Sequence, residues 1–247
     1  MLAMVVMGAP SLWLWPRLRN VPPRAWVSLG IIGVADAFNT GLYFAALNRG
    51  PVAVAVLTHY MAPILVALLA TRLFDEPLSR RVLVSLPVVF IGVALLLGPA
   101  TGEGVATTAM LGGASAIFYA AQVLGCKEAA KTFSALAIVA LHTPIAVALL
   151  AVAYGAEAIP PLSVDTLKPL AGALLCGLLA TTLFNAGLPR VRAQVAGVLT
   201  YLEPVVAAGV GALFFSEALP WVSWFGFAAV LGAGAWVAVE RFAKPPA

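Results

Sequence analysis

Long stretches without a single charged side chain constrain this chain more than any other feature. Residues 1–16, 50–71, 82–102, 104–126, 132–156, 169–189 and 218–239 contain no Asp, Glu, Lys or Arg. Two more apolar stretches, 25–48 and 193–216, are interrupted only by Asp36 and Glu203. An α-helix rises about 1.5 Å per residue, so roughly 20 residues cross a hydrocarbon core of about 30 Å. Eight of the nine stretches are long enough, and the first, residues 1–16, is short. A membrane barrel would show short strands of alternating apolar and polar residues, and none is present. The expected fold is therefore an all-α membrane protein with nine helices in the sequence.

Composition agrees. Charged residues make up 10% of the 247 and hydrophobic ones 62%, with a mean hydropathy of +1.02. A soluble domain keeps about a quarter of its residues charged, because its surface faces water. The net charge of +4 could point to nucleic acid. The basic residues, however, are dispersed among short loops with no basic patch interleaved with aromatics, so nucleic acid is not an expected partner. Arg17 and Arg19 follow the first apolar run instead of preceding it, which is the wrong side for a secretory signal. Cys126 and Cys176 show no Cys-x-x-Cys or His pairing and read as small buried hydrophobes.

Lysine and arginine set the orientation. With the loop after the first stretch in the cytoplasm, twelve basic residues lie inside: Arg17, Arg19, Arg24, Arg72, Arg80, Arg81, Lys127, Lys131, Arg190, Arg192, Arg241 and Lys244. Only Arg49 and Lys168 lie outside. This positive-inside bias predicts a cytoplasmic C-terminus and places Met1 on the outer side.

An internal repeat accounts for the odd count. Residues 55–78 (AVLTHYMAPILVALLATRLFDEPL) align without gaps on residues 196–219 (AGVLTYLEPVVAAGVGALFFSEAL). Tyr60 falls on Tyr201, Pro63 on Pro204, Phe74 on Phe215 and Glu76 on Glu217, an offset of 204 − 63 = 141. The later half carries five helices. An odd number of spans reverses direction, so the halves are expected to be inverted, with a solute site near midplane between them. The expected boundaries are 1–100 for the first half and 106–242 for the second, followed by a short cytoplasmic tail at 243–247. Subtracting the offset places the first helix of the first half ahead of Met1, so that half is expected to lack it.

The segments that carry the repeat, ALNRGPVAVAVLTHYMAPILVALLATRLFDEPLSRRVLVSLPVVFIGVALL at 46–96 and its counterpart at 188–238, resemble the EamA-type branch of the drug/metabolite transporter superfamily. In each, a helix contains Pro63 or Pro204, with Glu76 or Glu217 thirteen residues later. The resemblance implies ten helices in two inverted five-helix repeats. It also implies export of amino acids, drugs or other metabolites.

Polar residues inside spans ask for a reason, since a charge at the bilayer centre costs roughly 2.5–3.5 kcal/mol. Asp36 lies near midplane, and Asn39, Thr40 and Tyr43 follow on its face. That stripe either lines a solute cavity or clamps one helix to another. Glu203 is equally deep, with Thr200 on its face. Removal from water favours a protonated carboxyl, which makes Glu203 a candidate carrier of a coupling proton or a neutral packing residue beside Pro204. His59 is deep in its span and either hydrogen-bonds a neighbouring helix or contacts substrate, whereas His142, two residues before Pro144, reads first as part of a local kink and second as a functional residue. Ser115, Tyr119 and Gln122 share one helix face, as do Thr181, Thr182 and Asn185. Each set lines the cavity or bonds to a neighbouring helix. Asp36, Asn39, Thr40, His59, Tyr119, Gln122, Asn185 and Glu203 are thus the candidate substrate-binding or coupling residues. Pro63, Pro204, Glu76 and Glu217 are the structural residues of the repeat. Gly30, Gly33, Gly209, Gly211, Gly232 and Gly234 are expected to let helices approach closely.

No Gly-x-x-x-x-Gly-Lys-Ser/Thr loop is present to hold ATP phosphates. Neither His-Glu-x-x-His nor Gly-x-Ser-x-Gly occurs. No catalytic residue, cofactor or metal is expected. The function expected is a secondary transporter, in the first place an exporter, of a small solute in the inner or plasma membrane, without ATP hydrolysis. Expected partners are the solute, the lipid bilayer, a proton as candidate coupling ion and a second copy of the chain as candidate homodimer partner. The alternative is a membrane scaffold or sensor that transports nothing.

Overall fold

The structure is a computed structural model and describes residues 2–14, 21–99, 101–155, 171–214, 216 and 218–243. Glu217 of the repeat motif lies outside them, as do Phe215, Arg17, Arg19, Glu157, Asp165, Lys168, tail residues 244–247 and the side chains of Cys176 and Arg241.

Among the described residues every regular element is a helix. The short first stretch forms α1 (Leu2–Gly8) and α2 (Ser11–Leu14), separated at Pro10, which has no N–H to continue a helix. Then come α3 (Pro23–Leu47), α4 (Val52–His59), α5 (Ala62–Leu73), α6 (Arg80–Leu97), α7 (Val105–Ala129) and α8 (Ala135–Tyr154). The 169–189 stretch contains α9 (Ala173–Leu179), wound at the wider π pitch, and α10 (Ala180–Gly187). The chain continues through α11 (Ala193–Thr200), α12 (Leu202–Phe214) and α13 (Trp221–Ala243). Among the described residues, seven segments are long and apolar enough to span a membrane: α3, α4 with α5, α6, α7, α8, α11 with α12, and Trp221–Val239 of α13.

Serines start two of these helices. Ser79 accepts a hydrogen bond from the Arg81 N–H at 3.2 Å, and Ser134 accepts one from the Ala137 N–H at 3.3 Å. Gly98 (φ 75°) and Gly155 (φ 69°) end α6 and α8 in a backbone conformation that favours glycine.

The chain forms two compact units, each drawing on both halves of the sequence. The first comprises Met1–Gly41 and Ala121–Arg190; the second comprises Leu42–Ala120 and Val191–Ala247. In the first unit, α1 and α10 both pack on α8 and α9. Ala37, Ala146 and Leu150 form a small core with Met4 beside it. A Cβ on Gly33 would lie 2.6 Å from the Ile145 Cβ and 2.9 Å from the His142 carbonyl oxygen. Only glycine allows α3 to come this close to α8.

In the second unit, α6 packs along α13. Val82, Leu86, Val89, Val93 and Leu96 recur every three or four residues and meet Val230, Ala233 and Val237. Lipid tails are as apolar as these side chains, so tight packing and hydrogen bonds, more than exclusion from water, hold such a pair together. At the crossing the backbones nearly touch: a Cβ on Gly226 would collide with the Gly92 carbonyl oxygen and lie 3.0 Å from the Leu96 nitrogen. The Ser223 hydroxyl donates to the Leu96 carbonyl at 3.3 Å.

Two of the seven spans are broken, at Tyr60 between α4 and α5 and at Tyr201 between α11 and α12. Proline explains both breaks. Pro63 and Pro204 have no N–H to offer the carbonyls four residues earlier, those of His59 and Thr200, and each ring crowds that carbonyl. The glycine expectation needs correction at three positions. Among the described residues, Gly30, Gly209 and Gly232 have no atom of another helix within 4 Å of where a Cβ would stand, so they bring no described helix close.

Candidate functional site

The second unit gathers aromatic and ionisable groups around the break in α4–α5. His59, the last residue of α4, meets Tyr43 of α3 at a ring separation of 4.5 Å, Tyr119 of α7 at 5.2 Å and Tyr60 at 5.9 Å. Ser115 donates to the Gly112 carbonyl at 2.7 Å, which uses its only hydrogen. Its oxygen must therefore accept from His59 Nδ1, 2.9 Å away. That assigns the proton to Nδ1 and leaves Nε2 as an acceptor.

Tyr60 donates through its hydroxyl to Glu203 Oε2 at 3.1 Å. Its ring stacks on Tyr201 at 5.6 Å. The Tyr201 hydroxyl in turn donates to the Tyr60 carbonyl at 2.5 Å. In an unbroken helix that carbonyl would take the Ile64 N–H, which here bonds to Met61. The side chain of one broken span thus satisfies backbone freed in the other. Glu203 itself is exposed although it sits well inside its span.

The first unit holds a different set. Asp36 is 9% exposed; its Oδ2 lies 3.5 Å from Nε2 of His142, and its Oδ1 accepts from the Thr40 hydroxyl at 3.5 Å. Nδ1 of His142 lies 2.6 Å from the Ile138 carbonyl oxygen, so this nitrogen carries a proton and donates it there. Asn39, Gln122 and Asn185 each have a buried amide oxygen with no hydrogen-bond partner among the described residues, and the Thr182 hydroxyl shares that state. Asn185 donates through Nδ2 to the Thr181 carbonyl at 2.9 Å. It borders a cavity of about 390 Å³, together with Phe133, Ser134 and Arg190.

Of the eight candidate binding residues, Asp36, Asn39, Thr40, Gln122 and Asn185 therefore belong to the first unit, and His59, Tyr119 and Glu203 to the second. Among the repeat residues, Pro63 and Pro204 are buried at the two helix breaks. Both carboxylate oxygens of Glu76 accept from the Ala193 N–H, at 2.9 and 3.2 Å, at the first turn of α11. The pairing of three residues that matter here is not legible in the sequence. Tyr60 and Tyr201 stood out only as matched repeat positions, although an aromatic pair at the repeat offset was a signal in itself. His142 was read as part of a kink, and no local pattern ties it to Asp36.

The EamA-like transporter family matches residues 1–98 and 106–239. A protein of Archaeoglobus fulgidus described as an uncharacterized transporter is 29% identical over 222 residues, which is 87% of this chain and 77% of that protein. A solved crystal structure shares the fold with a TM-score of 0.78 at 20% identity, over 98% of this chain and 85% of that one.

Proposed function

The chain belongs to the EamA-like transporter family, a multi-pass membrane protein whose partners are a small solute and lipid, and from that premise we propose a secondary transporter that exports an amine-bearing solute by alternating access. No ATP is hydrolysed. The protein resides in the cell membrane with its C-terminus in the cytoplasm, and residues 1–100 and 106–242 form two inverted repeats of a five-helix pattern.

One observation carries this reading: Glu203 is exposed midway along a span, beside a group of tyrosines. A carboxylate facing lipid at that depth costs roughly 2.5–3.5 kcal/mol, so its exposed surface faces water or solute. Tyr43, Tyr60 and Tyr119 around His59 offer ring faces that attract a cation, and Glu203 supplies the opposite charge. The neutral acceptor His59 Nε2 adds a place for an N–H or O–H donor. In the first unit, the unpartnered amide oxygens of Asn39, Gln122 and Asn185 equally call for donors. The repeat gains support from the helix breaks, since Tyr60 and Tyr201 are separated by the repeat offset and stack on each other. Proline breaks at matched positions suit halves that rock about them.

Comparing the metabolites retained by cells with and without the protein identifies solutes to test. Efflux of amine-bearing solutes from vesicles should then depend on the protein, and Glu203→Gln should lower it at least about tenfold, the effect of losing one charge-assisted contact to the solute. Full efflux in Glu203→Gln, or a solute set without amines, overturns the reading.

A further inference from the structure

We propose that Asp36 and His142 form a membrane-buried proton site, a carboxyl–imidazole pair that holds one exchangeable proton between Oδ2 and Nε2. Its use as the ion coupled to solute movement rests on the transport reading above; the site itself does not.

The geometry leaves one proton to be shared. His142 Nδ1 is committed to the Ile138 carbonyl at 2.6 Å, so only Nε2 faces Asp36, at 3.5 Å from Oδ2. With one proton between them the pair is either a neutral acid beside a neutral imidazole or a carboxylate beside an imidazolium. Both forms have zero net charge. Loss of the proton to water leaves one negative charge, and gain of a second leaves one positive charge, each in a site where His142 is 3% and Asp36 9% exposed. Buried membrane sites that change charge with a proton are what a coupled transporter requires.

The surrounding helices hold this pair together. Gly33, one turn ahead of Asp36, lets α3 approach α8 at the His142 carbonyl. Thr40, one turn beyond, donates to Oδ1. Cys126 of α7 is buried within electrostatic reach of Asp36. Tyr154 of α8 donates to the Gly41 carbonyl at 3.2 Å and is occupied there. Lys127 and Glu128 follow Cys126 in the last turn of α7, where Glu128 pairs with Lys131. Arg24 is twelve residues from Asp36 along α3, about 18 Å away. The sequences of α1 and α10 contain no titratable residue, and that of α9 contains only Cys176. His142 is therefore the one basic group within ion-pairing distance of Asp36 among the described residues.

The test needs neither solute nor gradient, so it stands apart from any failure of the transport reading. The chain contains two histidines, His59 and His142, and three aspartates, Asp36, Asp75 and Asp165. Ring-15N histidine and carboxyl-13C aspartate in lipid nanodiscs then give few signals, assigned with His59→Gln and Asp36→Asn. The expected result is a His142 signal with Nδ1 protonated and with a titration that Asp36→Asn displaces by about one pH unit or more. His142→Gln should displace the Asp36 signal in the same way, and His59→Gln should move neither. If one variant does not fold, the reciprocal one still decides. Independent titrations, each unchanged by removal of the other group, overturn the proposal.

Discussion

At the scale of single residues, the clearest work is done by side chains that bond to distant backbone. Glu76 fastens the end of one broken span to the start of the other through the Ala193 N–H. Gln194 reinforces the junction, accepting from the Ser79 N–H and donating to the Pro77 carbonyl, both at 2.9 Å. A carboxylate at a helix N-terminus is also favoured by the helix dipole. Glu76→Ala should therefore destabilise the protein by about 1–2 kcal/mol and Glu76→Gln by less. Thermal unfolding in detergent reads both, and an unchanged midpoint for Glu76→Ala would falsify the capping role. The sequence marked Glu76 through its match with Glu217, because a charge at a span end stands out in apolar text. Its partner was illegible, since a backbone N–H has no signature of its own. The same limit hid the pairing of Asp36 with His142: each residue was visible, but their approach depends on how α3 meets α8.

Among elements, the breaks in the spans were legible and the crossings were not. A proline inside an apolar stretch announces a freed carbonyl wherever the helix lies, so Pro63 and Pro204 mark matched positions at which a helix can bend. A glycine carries no comparable message. Gly226 and Gly232 occupy the same helix, yet only Gly226 abuts backbone, at Gly92 and Leu96, while Gly232 faces open space. Backbone cannot swing aside as a flexible side chain can. Gly226→Ala should separate α6 from α13 and cost about 1–3 kcal/mol. Gly232→Ala should be neutral or stabilising by up to about 1 kcal/mol through helix propensity. Paired unfolding measurements decide it, and equal effects at the two positions would show that the α6–α13 backbones are not in close contact at Gly226.

For the whole molecule, the hydrophobic pattern told most about the solvent and the spans, because the cost of unpaired charge in hydrocarbon acts on every residue alike. Orientation rests on a different asymmetry, twelve basic residues on one side of the expected topology against two on the other. A single helix suffices to test both. The span α7 runs over Val105–Ala129, with exposed Glu103 before it and exposed Lys131 after it. At about 1.5 Å per residue it is longer than the hydrocarbon core. Cysteines introduced as Glu103→Cys and Lys131→Cys, after replacement of Cys126 and Cys176 by serine, should therefore lie on opposite membrane faces. An impermeant maleimide should label Glu103→Cys in intact cells and Lys131→Cys only after the membrane is opened. The reverse pattern would leave the span in place and invert the orientation, so that a reporter fused after Lys244 would then read as external. Labelling of both positions in intact cells would mean that α7 does not cross, and the assignment of every later loop would fall with it.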